Sequence, residues 1–270
     1  MTVIISIFLV ILGASVGSFL SVVIYRLEHK QKGAILGRSR CPHCKKTLGT
    51  YDLIPILNYI LLRGKCRYCG EPISLNYFFL ELSTALVFLL MFFRFPFIIE
   101  PGTNALYTVD WTAFLQFLFY TIDGTLLIAV FFYDLQYVKI PDVFMFPLIF
   151  LCLLGSLILN SADFPSLLIA LLIALVFFGS QFWLSKGEWL GEGDLYLGIA
   201  MAFLFGWKLF LVSVSLTYIL GAVISAILLA ARKLKAKSKI PFAPFMVFGA
   251  FATILYGQEI LQWYIKIVTP

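Results

Sequence analysis

Charge is what this 270-residue chain has least of: 13% of its residues are charged, while 61% are hydrophobic. That balance excludes an ordinary soluble fold and points to a polytopic membrane protein. Histidine is nearly missing. The two present, His29 and His43, both fall in one polar stretch, so a Ser–His or Cys–His nucleophile has no base in the apolar bulk of the chain. No basic segment precedes the first apolar run, and Met1–Tyr25 is expected to be a retained first helix rather than a cleaved signal peptide. There is no evident internal repeat of the kind many transporters carry, and no dinucleotide-type glycine loop.

What is present is a series of apolar runs. Spans need roughly 17–25 residues, and about eight stretches qualify: approximately 3–25, 76–95, 112–133, 143–160, 165–185, 195–207, 209–231 and 242–265. The sixth is short. The fold class expected is all-α, a membrane protein of about eight transmembrane helices with a small zinc-binding cytoplasmic domain after the first. Its parts would be a first helix over 1–25, a polar domain over 26–75 and seven helices over 76–270.

Orientation follows from the side on which lysine and arginine collect. With the segment after the first span in the cytoplasm, 17 of the 20 basic residues fall on that side, and only Arg94, Lys208 and Lys266 fall outside. The net charge of +6 is then a topology signal facing anionic lipid, and no nucleic-acid partner is needed. Asp134, Asp142 and Asp194 all come to the cytoplasmic face.

The polar domain carries Cys41-Pro42-His43-Cys44 and Cys66-Arg67-Tyr68-Cys69. Two C-x2-C pairs of this kind match a tetrahedral structural zinc site, and a reducing cytoplasm disfavours a disulfide. Four cysteines leave the metal no open position, so Cys41, Cys44, Cys66 and Cys69 hold the domain together rather than do chemistry. Cys152 is alone in a span and reads as a small buried hydrophobe. Between the knuckles, Tyr51–Gly64 is apolar but too short and interrupted to span, which suggests an interfacial or re-entrant segment.

The acids carry the chemistry. Gly191-Glu192-Gly193-Asp194 lies between two apolar runs, where an ionised aspartate is expensive and therefore a functional-site hypothesis. Asp134 ends another apolar run at what would be a helix C-terminus, where negative charge is disfavoured. Asp142, after Pro141, has a plain role available at a helix start. Glu81, one turn inside the second span, is as readily a structural hydrogen-bond partner as a site residue. Asp123, in mid-span, is either a protonated interior group or part of the site. Two aspartates sharing one proton can activate water against a peptide carbonyl and protonate the leaving amine, with Gly191 and Gly193 permitting tight backbone geometry and close substrate approach. Intramembrane acids also serve transporters and ion-carrying assembly factors, which would show flux and no proteolysis.

Taken together these stretches resemble the type IV prepilin peptidases, membrane aspartic proteases with a G-x-G-D motif. Gly17-Ser18-Phe19-Leu20 with Val23-Ile24-Tyr25-Arg26 resembles the first-helix signature, and the paired knuckles resemble the family's zinc domain. Ile54-Pro55, Leu61–Cys66, Ile73-Ser74 and Glu81-Leu82 fit the flanking segments. The resemblance implies Asp134 and Asp194 as the catalytic pair, with Asp142 beside them. It implies cleavage of a short basic leader from a prepilin or pseudopilin at the cytoplasmic face of the bacterial inner membrane. It also implies N-methylation of the new N-terminus from S-adenosylmethionine, by residues the sequence does not identify. Ser21, Asp52-Leu53, Asn76, Phe78, Tyr196 and Ala243 depart from residues common in the family.

Overall fold

The computed structural model describes residues 2–30, 37–99, 108–159, 162–232 and 240–268. Of the 17 basic residues expected at the cytoplasmic side, Lys32 and those of the loop 233–239 lie outside the described residues. The chain forms two compact units, Met1–Ala129 and Val130–Pro270, joined covalently through one long helix.

In the first unit, α1 (Thr2–Glu28) packs along α3 (Leu75–Arg94). Small residues permit that approach. A Cβ on Gly13 would lie 2.8 Å from the Thr84 carbonyl oxygen, and one on Gly17 would collide with the Thr84 hydroxyl and with the α3 backbone at Glu81. Between these helices the chain makes a 3-10 turn (Thr50–Leu53) and the five-residue α2 (Leu57–Leu61). Tyr51, Leu57, Ile60 and Leu61 are exposed there, as an interfacial segment requires. After α3, strands β1 (Ile98–Ile99) and β2 (Thr108–Val109) pair antiparallel. α4 (Trp111–Tyr137) then opens with Asp110 accepting from the Thr112 and Ala113 amides. Phe92, Phe97, Phe114 and Phe117 pack ring against ring where α3 ends and α4 begins.

The second unit holds the end of α4, α5 (Asp142–Ile158), α6 (Phe164–Leu184), α7 (Glu192–Ala230) and α8 (Ala243–Val268). α7 packs on α5, α6 and α8. It is not one rod. Gly206 breaks it at φ 65°, ψ 172°, a conformation open in practice only to glycine. A backbone break inside an apolar bundle needs substitute hydrogen bonds. Here the Trp207 amide donates to Ser166 Oγ at 3.2 Å and Ser156 Oγ donates to the Phe203 carbonyl at 2.6 Å.

Six described helices are long and apolar enough to cross a membrane, and α5 is a shorter apolar helix. With α7 divided at Gly206, the apolar segments match the eight expected, and the fold is a polytopic all-α membrane protein. The sixth span, expected at approximately 195–207, begins at Glu192, because the two acids of the motif are themselves in its first turn.

Candidate functional site

α4 ends with Asp134 in its last turn, and the chain reverses into α5 through Val138, whose φ of 53° is rare for a β-branched residue. The Val138 amide donates to the Asp134 carbonyl at 2.8 Å. That reversal lays Ile140 against the start of α7, where a Cβ on Gly193 would sit only 2.6 Å from Ile140 Cβ. Gly193 is thus required for close approach. Neither Gly191, extended at φ −76°, ψ 159°, nor the helical Gly193 adopts the unusual backbone expected of them.

The two aspartates are held differently. Asp134 is buried, and its Oδ2 accepts from the Ala243 amide at 3.2 Å. Ala243 opens α8, so the positive end of one helix offsets a carboxylate at the negative end of another. Asp194 is half-buried, and its Oδ2 accepts from the Gly191 amide at 3.1 Å, closing the N-terminal turn of α7 as a capping residue. The carboxylates lie within reach of each other's charge. Asp142 sits exposed in the first turn of α5. Glu192 accepts from the Tyr196 hydroxyl at 2.7 Å.

Sequence reasoning overlooked three partners here. Ala243 drew notice only as a departure from the family pattern, although Pro241 and Pro244 marked a helix start whose free amide needs an acceptor. Tyr218 of α7 lies within reach of the Asp194 charge, and its hydroxyl donates to Gln181 Oε1 of α6 at 2.9 Å. A tyrosine and a glutamine facing each other from two apolar runs were the available signal.

In the first unit, Glu81 is buried and its Oε2 accepts from the Ile56 amide at 2.7 Å. Ile56 has φ 61°, ψ −57°, and the Leu57 amide donates across it to the Pro55 carbonyl. This is a γ-turn of the strained hand on a β-branched residue, and the carboxylate of α3 holds it. Asp123 is fully buried in α4.

The four cysteines converge. Their sulfurs all lie within 4.8 Å of one another, and Cys41 Sγ is 3.9 Å from Cys69 Sγ. Four thiolates at 2.3 Å from a metal stand about 3.8 Å apart, so the cluster could hold a metal ion. The two knuckles are built alike. Lys45 and Gly70, each four residues after the first cysteine of its pair, have positive φ, and their amides donate back to Cys41 and Cys66. Without a cation the Cys69 thiol is pushed up to about 12: the Glu71 amide works to lower it, but burial and hydrogen bonding to Cys66, Cys44 and Cys41 prevail. Asp52 steadies the second knuckle through Tyr68 Oη at 2.8 Å and Arg67 Nε at 2.8 Å. Slight burial works to raise the Asp52 pKa, yet the Gly49 amide, Tyr68 and Arg67 together hold it below the usual carboxylate range.

Residues 11–95 match the family described as "Bacterial Peptidase A24 N-terminal domain", and residues 121–226 match the "Type IV leader peptidase family". A protein of Stutzerimonas stutzeri named "Prepilin leader peptidase/N-methyltransferase" is 30% identical over 95% of this chain and 92% of its own. Proteins of the same name from Pseudomonas aeruginosa and Legionella pneumophila are 28% and 29% identical, over 95% and 93% of this chain and 92% and 91% of theirs. No solved structure matches. The chain belongs to the type IV leader peptidase family.

Proposed function

We propose that this protein is a membrane aspartic endopeptidase that removes the basic leader of type IV prepilins or pseudopilins, with Asp134 and Asp194 as its catalytic pair. The observation that supports the reading is the packing of the Asp134 turn on the first turn of α7, Ile140 against Gly193, with the two carboxylates within reach of each other's charge. Asp142, Gly191, Gly193 and Glu81 are proposed only as support.

One carboxylate, ionised, takes a proton from a water molecule, and the resulting hydroxide adds to the peptide carbonyl carbon. The other, protonated, hydrogen-bonds the developing oxyanion. Collapse of the adduct breaks the C–N bond, and the amine nitrogen leaves with the proton first removed from water. The carboxylate fixed by a backbone amide of α8 suits the role that needs a steady orientation.

The site is proposed to face the cytoplasm, in line with the distribution of basic residues. From Gly206 to Asp194 the first arm of α7 covers about 18 Å at 1.5 Å per residue, less than the roughly 30 Å hydrocarbon core. With Gly206 and the neighbouring Lys208 proposed at the far face, that length would set the carboxylates below the membrane surface, beside the point where a substrate's own helix enters the lipid.

Functionally the chain is proposed to divide into a first helix over 1–25, a zinc domain over 26–75 and the peptidase helices over 76–270. Cys41, Cys44, Cys66 and Cys69 would hold Zn2+, which closes the two knuckles and supplies no reactivity. Methyl transfer from S-adenosylmethionine is proposed on the relatives' printed name. A donor site of the parallel-sheet kind does not fit a chain whose described strands are the two-residue β1 and β2, and no residues are assigned to that step.

The test is cleavage of a prepilin by the purified protein, followed by product mass. A shorter product, lighter by the leader, supports the reading; an intact substrate across several prepilins refutes it.

A further inference from the structure

The stretch between the two knuckles is strung between two anchors. On the membrane side, Glu81 Oε2 accepts from the Ile56 amide at 2.7 Å, and the Ser18 hydroxyl of α1 hydrogen-bonds the same carboxylate. On the zinc side, the Asn58 side-chain amide donates to the Asp52 carbonyl at 2.8 Å. Asp52 in turn holds Arg67 and Tyr68, the two residues between Cys66 and Cys69. A continuous path of polar contacts thus runs from α1 and α3, through the Ile56 turn, to the second knuckle.

The turn between the anchors is strained. Ile56 sits at φ 61°, ψ −57°, a conformation costly for a β-branched residue, which persists only where its surroundings impose it. Packing supplies little of that force, since no residue of α2 is buried. Tyr59 fastens the far end of α2 through the Ile73 carbonyl at 3.3 Å. The strain therefore falls on the two hydrogen bonds at Ile56 and Asn58, and the one made to a carboxylate is the stronger.

We infer that Glu81 is a latch that couples the zinc site to the α1–α3 pair. The inference rests on the zinc reading of the four cysteines. With the latch closed, Glu81 carries the strain of Ile56, and the Asp52 grip on the second knuckle is left undisturbed. With Glu81 removed, the same strain pulls through Asn58 on Asp52, and so on the residues between Cys66 and Cys69. With the metal lost, Arg67 and Tyr68 are no longer fixed between bound cysteines, and the turn is held from the membrane side alone. Such a linkage is reciprocal: opening the latch weakens metal binding, and removing the metal loosens the Ile56 turn.

The test uses the full-length, zinc-loaded protein in detergent and two readouts. One is zinc release to a chelator, followed with a zinc-sensitive dye, and the other is hydrogen exchange across residues 50–64, followed by mass. Glu81→Gln keeps the shape of the side chain but offers a weaker acceptor, and is expected to speed zinc release about 5-fold. Ile56→Gly in the same chain adopts the turn without strain, and is expected to bring the rate back to within about 2-fold of wild type. In an Asn58→Ala background, where the tie is cut, Glu81→Gln should no longer change the rate. Chelation of wild type should raise exchange across the segment at least ~10-fold. Should Glu81→Gln fail to fold, Glu81→Asp, which keeps the charge but is one methylene shorter, decides by the same rate and the same rescue. A release rate equal to wild type, a faster one that Ile56→Gly does not correct, or exchange unmoved by chelation overturns the latch and leaves the zinc site standing. Wild type that holds no zinc overturns the zinc reading itself, and the coupling with it.

Discussion

At the scale of single residues, the proposed site depends on two side chains whose surroundings explain both their cost and the use proposed for them. Asp134 at a helix C-terminus had no structural reason in the sequence, because its partner Ala243 is 109 residues away and no local pattern joins them. Asp194 is the opposite case: G-x-x-D before an apolar run is legible as a helix cap, and the capping bond is there. Ala243→Pro tests the first contact. Proline is tolerated at a helix start, but it removes the donor and leaves a buried carboxylate short of a partner, at a cost of about 1–3 kcal/mol. Lower thermal stability with reduced cleavage is expected, and a variant equal to wild type in both would show that the amide does not hold Asp134. Gly193→Val should drive Ile140 and its turn away from α7 and cut activity at least ~100-fold, as misplacement of a catalytic group does. Ile140→Gly in the same chain should restore part of it, and a double variant no better than the single one would assign the loss to another cause.

At the scale of elements, the breaks and knuckles matter more than the rods. Apolar length exposed the helices in the sequence, and the shortness of the run at 195–207 was the trace of the Gly206 break. The partners that satisfy the break, Ser166 and Ser156, were not legible, since one serine in an apolar run looks like any other. Gly206→Ala combines a positive φ with a Cβ 2.6 Å from Ser166 Oγ, and should destabilise the second unit by about 1–3 kcal/mol. Unfolding in detergent would measure it, and a loss under ~0.5 kcal/mol would mean that the break is soft. In the first unit, the knuckles were legible from cysteine spacing alone, while the grip of Asp52 on Arg67 and Tyr68 was not, because it joins residues 15 and 16 positions apart. With zinc held as proposed, Asp52→Asn should speed its loss to a chelator by about 10-fold or more, as removal of a metal site's outer partners does, read with a zinc-sensitive dye. The pKa of Asp52 is lowered on folding, so its contribution is complete at neutral pH and fades only as pH falls through that lowered value. Zinc release that changes between pH 8 and 6 therefore does not come from this contact.

At the scale of the whole molecule, charge distribution is the coarsest feature and among the most informative. With 17 of 20 basic residues assigned to one side, cysteines introduced at Lys139 and Lys186 should react with a membrane-impermeant thiol reagent from the cytoplasm, and one at Trp111 from the other side only. Labelling of Lys139 and Trp111 from the same side would break the topology. Family membership covers the chain almost end to end, and the order of the motifs is readable in the sequence alone. How the last turn of α4, the first turn of α7 and the first amide of α8 share one place is not, because that meeting is made by packing. The central claim is that those two carboxylates cut a peptide bond together. The measurement that tests it most directly is leader release from a prepilin by purified wild type, Asp134→Asn and Asp194→Asn, all shown to be folded and zinc-loaded. The account predicts release by wild type and a loss of at least ~1,000-fold in each variant. Release by either variant at a rate near wild type would contradict it.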